Sequence, residues 1–180
     1  KELAKRLFVG GCAFAHVYGS SSRAYLAALG MPEHRIITKG AVIDVEQFRD
    51  APALGGPKPP WKVLLFVGRF SEEKNLPFLL RAFAEVPQER AAPRVRLALV
   101  GYGPLEGELR ALGEALQLGE LLEFRGPASQ DELPRLYGNA DALILPSQSE
   151  AWGLVVLEAM LAGLPVLVSD CLLYTSPSPR

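Results

Sequence analysis

The 180 residues carry nineteen basic and twenty acidic side chains, a net charge of −1, and 49% hydrophobic residues. A mean hydropathy just above zero predicts a filled globular core and excludes a disordered chain. Interspersed charge gives no basic face, so a nucleic-acid partner is not expected. Two cysteines, Cys12 and Cys171, have neither paired nor metal-ligand spacing, which predicts a reduced, cytoplasmic setting.

In chain order, residues 6–15 read as a strand interrupted by Gly10-Gly11. Ser20-Ser21-Ser22 offers an N-cap to a helix over 23–29, which Gly30 and Pro32 stop. Residues 35–38 form a short strand. The Pro- and Gly-rich stretch 50–61 reads as a linker. From there strand and helix alternate: strands over 62–67, 95–100, 121–124, 142–145 and 165–168, with helices over 76–86, 105–116 and 153–162. Between the last two of those helices, Ser129-Gln130-Asp131-Glu132 is a capping box that opens a helix to about Tyr137. Such alternation predicts an α/β fold, a Rossmann-like parallel sheet with helices on both faces. His16 and His34, the two histidines, read as structural or surface side chains. The last ten residues, 171–180, have no helical or strand period and read as a disordered, non-native tail.

The strand ends hold the chemistry. Gly68-Arg69, Gly101-Tyr102-Gly103, Arg125-Gly126-Pro127 and Pro146-Ser147 all follow strands, so they share the sheet edge where open α/β sheets bind ligands. A helix opening at Gly153 aims free N–H groups and a positive dipole end at that edge, a ready anion site. Glu158, the single charge on that helix, lies roughly 7–8 Å along the axis at about 1.5 Å per residue. That is the reach from a phosphate to the hydroxyls of its own ribose. A carboxylate accepts from vicinal hydroxyls as readily as from arginine, so an internal ion pair stays open as the alternative. Glu150, on the loop, lies on the other side of the phosphate. Arg69 suits a departing diphosphate, because fixed cations stabilise charge that builds during bond breaking; its alternative is an ion pair with Glu72 or Glu73. Lys74 near a helix start is unfavourable without an anion to meet. The Gly-x-Gly turn at 101–103 reads first as a tight structural turn, and Arg125 equally as a solvated side chain.

Glu150 and Glu158 sit within Pro146-Ser147-x-Ser149-Glu150-x-Trp152-Gly153-Leu154-Val155-x-x-Glu158-Ala159-Met160-x-x-Gly163-x-Pro165-Val166. This closely resembles the donor-site signature of the family-4 (group 1) glycosyltransferases of GT-B fold. Val67-Gly68-Arg69 with Glu73-Lys74-Asn75, Val100-Gly101-x-Gly103-Pro104 and Phe124-x-Gly126 resemble three further motifs of that family. Residues 40–48 resemble its passage into the second domain, without the usual Asn. The resemblance spans roughly 5–170. It implies a piece of a retaining enzyme: residues 1–49 from an acceptor domain, the 50–61 linker, and a truncated nucleotide-sugar-binding domain over 62–170. Arg69 and Lys74 would hold the donor diphosphate, Gly153 and Leu154 the phosphate through backbone N–H, with Val155 beside them in the donor site, and Glu150 the sugar hydroxyls. Arg69, Lys74 and Glu150 are the catalytic candidates; Glu158 would hold the ribose, and Gly68, Gly101, Arg125 and Gly126 complete the donor site, with the loop at 124–126 facing the base.

The implied donor is a UDP-, GDP- or ADP-sugar, with no metal and no other cofactor. The acceptor stays open among sugars, lipid-linked and small-molecule hydroxyls, and the parent could associate peripherally with membranes. The 180-residue piece alone would be inactive, marginal and prone to aggregate. Two alternatives are a binding module without catalysis and another GT-B enzyme such as a nucleotide-sugar epimerase.

Overall fold

The parallel sheet that this alternation predicts is present in the computed structural model of the chain, which describes residues 1–17, 19–38, 43–49, 61–86, 94–150 and 152–171. Two units divide at residue 42, Lys1–Val42 and Ile43–Arg180. In the first, helix α1 (Glu2–Gly11) stands where the sequence suggested a strand over 6–15. Glu2, Lys5, Arg6 and Leu7 are good helix formers, Glu2 suits the first turn, and its carboxylate pairs with Lys5 at 3.0 Å. The glycine pair therefore ends a helix and does not interrupt a strand. Strand β1 is left with Ala15–Val17. Helix α2 (Gly19–Ala28) starts early enough to take in the expected serine cap. Strand β2 (Ile36–Thr38) pairs parallel with β1 over a small core of Val9, Val17, Leu29, Met31 and Ile36. His16 and His34 are both exposed.

The second unit begins before the expected boundary at residue 49. Asp44 Oδ1 accepts the N–H groups of Glu46 and Gln47 and opens helix α3 (Val45–Arg49). Phe48 is then buried in this unit's core, edge-on to Tyr137 with centroids 5.9 Å apart. Burying that ring ties 43–49 to the second unit. Residues 50–60 of the expected linker lie outside the described residues, and Trp61 is already strand. Cys171 is in a turn, and 172–180 lie outside the described residues.

The sheet comprises β3 (Trp61–Val67), β4 (Arg94–Val100), β5 (Leu122–Gly126), β6 (Ala142–Leu145) and β7 (Val166–Val168). Helices α4 (Leu76–Ala84), α5 (Glu106–Ala115), α6 (Leu133–Asn139) and α7 (Leu154–Leu161) connect the strands. The strand order is β5-β4-β3-β6-β7, all parallel. The chain thus builds outward from β3 to β5, then returns to lay β6 on the other side of β3. At that reversal the loops after β3 and β6 part to opposite faces and leave a crevice.

Two of the strand-end turns are locked together. Phe70 N–H donates to the Tyr102 carbonyl at 2.8 Å, and Leu105 N–H to the Phe70 carbonyl at 3.1 Å. A Cβ on Gly101 would stand 1.9 Å from the Gly68 carbonyl oxygen, and one on Gly103 2.4 Å from the Phe70 oxygen. The Gly-x-Gly spacing therefore serves backbone contact between two loops, as the tight-turn reading expects. Gly101→Ala should destabilise the chain by about 3 kcal/mol, because neither backbone can yield without breaking the turn hydrogen bonds. Denaturant unfolding of the variant measures this; a loss under about 0.5 kcal/mol would mean that the loops separate freely.

Only the glutamate half of the expected capping box forms, one residue ahead of α6, whose N-cap has no side-chain hydrogen bond. Glu132 Oε2 accepts both the Ser129 N–H and the Ser129 hydroxyl at 2.8 Å. Those two bonds hold the Glu132 carboxyl below its ordinary value. A depressed folded-state value means stability that is present above the unfolded carboxylate range, near about pH 4.3, and lost as pH falls through the lower folded value. Glu132→Gln should therefore lower the melting temperature at pH 7 and leave it unchanged near pH 2, read by thermal melts across that range.

Candidate functional site

Two side chains predicted for the site, Lys74 and Glu150, and the backbone N–H of Gly153 converge at the crevice between β3 and β6. The turn after β3 runs through a single 3-10 turn, Glu72–Lys74, into Asn75, whose left-handed backbone (φ 54°) starts α4. Asn is among the few residues that tolerate this conformation, and Asn75 is a positioning feature that motif reading left unexplained. Lys74 crosses the end of β3, its Cε 3.9 Å from the position that a Cβ on Gly68 would take. Its ammonium pairs with the Glu150 carboxylate from the loop after β6. The loops are also stitched by backbone: Gln148 N–H donates to the Glu73 carbonyl at 2.8 Å. Glu73 itself is held below the ordinary carboxylate range by the Ser71 hydroxyl bonded to it, then by its own backbone N–H, with Lys74 and Arg69 adding smaller contributions.

Glu150 spans two positive features. Its second oxygen, Oε1, faces the N–H of Gly153 at 3.4 Å, and Ser147 Oγ stands 3.5 Å from Oε2. Gly153 is left-handed (φ 56°), the conformation that glycine adopts at no steric cost, and it precedes the first turn of α7. Leu154 and Val155 open that helix, whose first N–H groups have no partner inside it. A carboxylate already lies at the helix's positive end, beside a lysine. The pair is shielded, with side chains 15% and 12% exposed.

Arg69 is exposed and lines a shallow cleft of about 210 Å³ with Gly68, Tyr102, Pro127 and Leu133. Among the described residues it makes no ion pair with Glu72 or Glu73. Arg125 lies elsewhere: its guanidinium forks onto Glu123 at 2.8 and 3.1 Å on the solvent side of β5. It is a solvated side chain in a surface ion pair, and not part of the Lys74–Glu150 cluster. Strand residues two apart share a face, which is why these opposite charges meet. Gly126 is left-handed (φ 68°) and its carbonyl accepts the Gly101 N–H at 2.7 Å, so that oxygen serves the sheet edge.

Glu158 is buried at 8% exposure on α7. The alternative of an internal ion pair is not what holds it among the described residues. Its Oε2 accepts the Tyr137 hydroxyl at 2.7 Å, and Tyr137 has no exposed surface. Burial first, and the adjacent carboxylate second, push the phenol far above its ordinary value, so the hydroxyl remains a donor. Sequence reading missed Tyr137; its position on the apolar face of a short helix marks it as core and says nothing of where its hydroxyl goes. No group of three or more His, Cys, Asp or Glu side chains among the described residues could hold a metal, and no described helix is long and apolar enough to cross a membrane.

A neutral replacement of Lys74 would leave Glu150 shielded beside a helix terminus that satisfies only part of its charge. Lys74→Met should cost about 2 kcal/mol, between the values for exposed and fully buried pairs. Lys74→Met with Glu150→Gln should recover most of that loss. Urea unfolding of the two single variants and the double variant measures the coupling, and strict additivity would show that the contact contributes nothing.

The sequence matches the family described as "Glycosyl transferases group 1" over residues 50–175. It is 37% identical over 109 residues to an uncharacterised glycosyltransferase of Methanocaldococcus jannaschii, covering 61% of this chain and 27% of that protein. It is 32% identical over 164 residues to a D-inositol 3-phosphate glycosyltransferase of Thermobispora bispora, covering 84% of this chain and 38% of that one. An Anabaena protein solved with UDP-glucose superposes with a TM-score of 0.70 at 22% identity, over 93% of this chain and 49% of that one. The chain thus spans less than two-fifths of the length of these two curated relatives. The sheet has the architecture of GT-B glycosyltransferase structures.

Proposed function

The chain belongs to the group 1 glycosyltransferase family, and from the crevice between β3 and β6 we propose that it binds a nucleoside-diphosphate sugar there. Within a longer protein it would transfer the sugar to an acceptor hydroxyl with retention at the anomeric carbon, as in family 4. The observation that carries this reading is the convergence of Lys74, Glu150 and the first turn of α7 at the strand-order reversal, with buried Glu158 farther along the same helix. The residues supply complementary charge for each part of such a donor. Arg69, Lys74 and the N–H groups of Gly153, Leu154 and Val155 would meet the diphosphate. Glu150 would accept from the sugar hydroxyls, and Glu158 from the ribose.

In the reaction the bond from the anomeric carbon to the diphosphate breaks, and one to the acceptor oxygen forms as that oxygen loses its proton. Negative charge grows on the departing diphosphate, where fixed cations lower the barrier. The charge is met by side chains in this reading, which assigns no metal. Residues Lys1–Val42 would belong to an acceptor domain, and the acceptor class follows from that domain. UDP, GDP and ADP donors stand equal on these residues; a cytoplasmic protein working at or near a membrane surface fits the same reading.

Titrating UDP, GDP and ADP into the chain tests the donor site. Glu158→Gln should weaken the tightest of them by about 1–3 kcal/mol, the scale of a hydrogen bond to a charged group. Its melting temperature should hold or rise, because the Gln oxygen still accepts from Tyr137 and a buried charge is gone. Unchanged affinity with a large drop in melting temperature would make Glu158 structural and end the donor assignment.

A further inference from the structure

A buried carboxylate needs a donor, and the one that Glu158 has comes from outside the crevice loops. Tyr137 lies on α6, 21 residues earlier in the chain, and its hydroxyl donates to Glu158 Oε2 at 2.7 Å. The phenol is fixed on its other side, its ring edge-on to Phe48 at 5.9 Å, and both rings are enclosed by core. With so little freedom the hydroxyl has one direction to donate. Among the described residues Glu158 has no cationic partner, and no protein donor meets its Oε1. The two oxygens are thus differentiated: one is taken by the fold, and the other meets no donor among the described residues.

We propose that Tyr137 is a positioning residue for nucleotide binding: its hydroxyl fixes Oε2 of Glu158 and reserves Oε1 for the ribose hydroxyls of the donor. This rests on the reading of Glu158 as the ribose acceptor. A lysine or arginine in the place of Tyr137 would neutralise the carboxylate and compete for both oxygens. A neutral phenol fixes the geometry and leaves the charge to strengthen a hydrogen bond to the ligand. Its resistance to ionisation keeps that role constant over the pH range of an ordinary enzyme. Without the hydroxyl, the carboxylate would turn toward another donor, and the ribose loses its acceptor.

A structural role and a positioning role separate by ligand. The measurement is calorimetric titration of the full 180-residue chain with UDP, GDP and ADP, then with the 2′,3′-dideoxy form of the one that binds tightest. The unaltered chain should prefer the ribonucleotide by about tenfold, one charged hydrogen bond. Tyr137→Phe should lose that preference, weakening the ribonucleotide about tenfold and leaving the dideoxynucleotide unchanged. Tyr137→Phe with Glu158→Gln should bind no more weakly than Glu158→Gln alone. If Tyr137→Phe fails to fold, the double variant, which removes the buried charge with its donor, decides: equal binding to Glu158→Gln supports the assignment, and a further loss overturns it. A Tyr137→Phe protein that keeps the ribo-to-dideoxy ratio overturns the role of Tyr137 and leaves the donor site standing. A wild-type chain that binds none of the three nucleotides overturns the donor site and this inference with it.

Discussion

The strand order governs the second unit. After β5 the chain must return across the sheet and lay β6 against the free side of β3. Consecutive connections on one side of β3 and on the other then leave by opposite faces, and the carboxyl edge opens between β3 and β6. The turn after β4 is pressed on the turn after β3 until Gly101 and Gly103 have no room for a side chain. Where the edge does open, it is bridged by charge, Lys74 to Glu150, and by one backbone bond from Gln148 to Glu73. A crevice held by a polar bridge can exchange that bridge for a ligand; one held by packed backbone cannot.

Much of this organisation was legible from residue order. Continuous apolar runs such as Ala142–Leu145 appear as strands within the predicted bounds, because parallel strands buried on both faces need no alternation. The turn chemistry at Gly101-x-Gly103 and the return of Glu132 to the Ser129 N–H carry their geometry in the residue types themselves. Local pattern was ambiguous at the start of the chain. Leu3, Leu7 and Phe8 are exposed on α1, so burial enforces no strict period there, and the same letters suit a strand or a helix. Phe48 shows a different limit: its assignment to the second unit depends on the tertiary contact with Tyr137, which sequence separation conceals.

The candidate site divides along the same line. Arg69, Lys74, Glu150 and Gly153 sit where the loop grammar of an α/β sheet puts them, at strand ends and at a helix start. Arg125 follows a strand too, yet Glu123 two residues earlier captures it. Position at a strand end brings a residue to the edge; whether its side chain is free there depends on the nearest opposite charge. Spacing within β5 contained that signal, since residues two apart lie side by side on one face.

The two glutamates show how environment separates residues that look alike in sequence. Glu150 lies on a loop, shielded but bound to a lysine and to a helix terminus, so its charge is met from within the protein. Glu158 is more deeply buried and among the described residues has only a phenol. Desolvating a carboxylate costs several kcal/mol, and one neutral hydrogen bond offsets only part of that. The fold therefore carries an incompletely compensated charge on α7, an arrangement disfavoured for stability alone when an apolar side chain could fill the same space. Unspent hydrogen-bonding capacity of this kind has value only when a ligand completes it. On the donor reading the ribose hydroxyls do so, and the stability forgone in the free chain returns as binding energy at the position that distinguishes a ribonucleotide from every other phosphate.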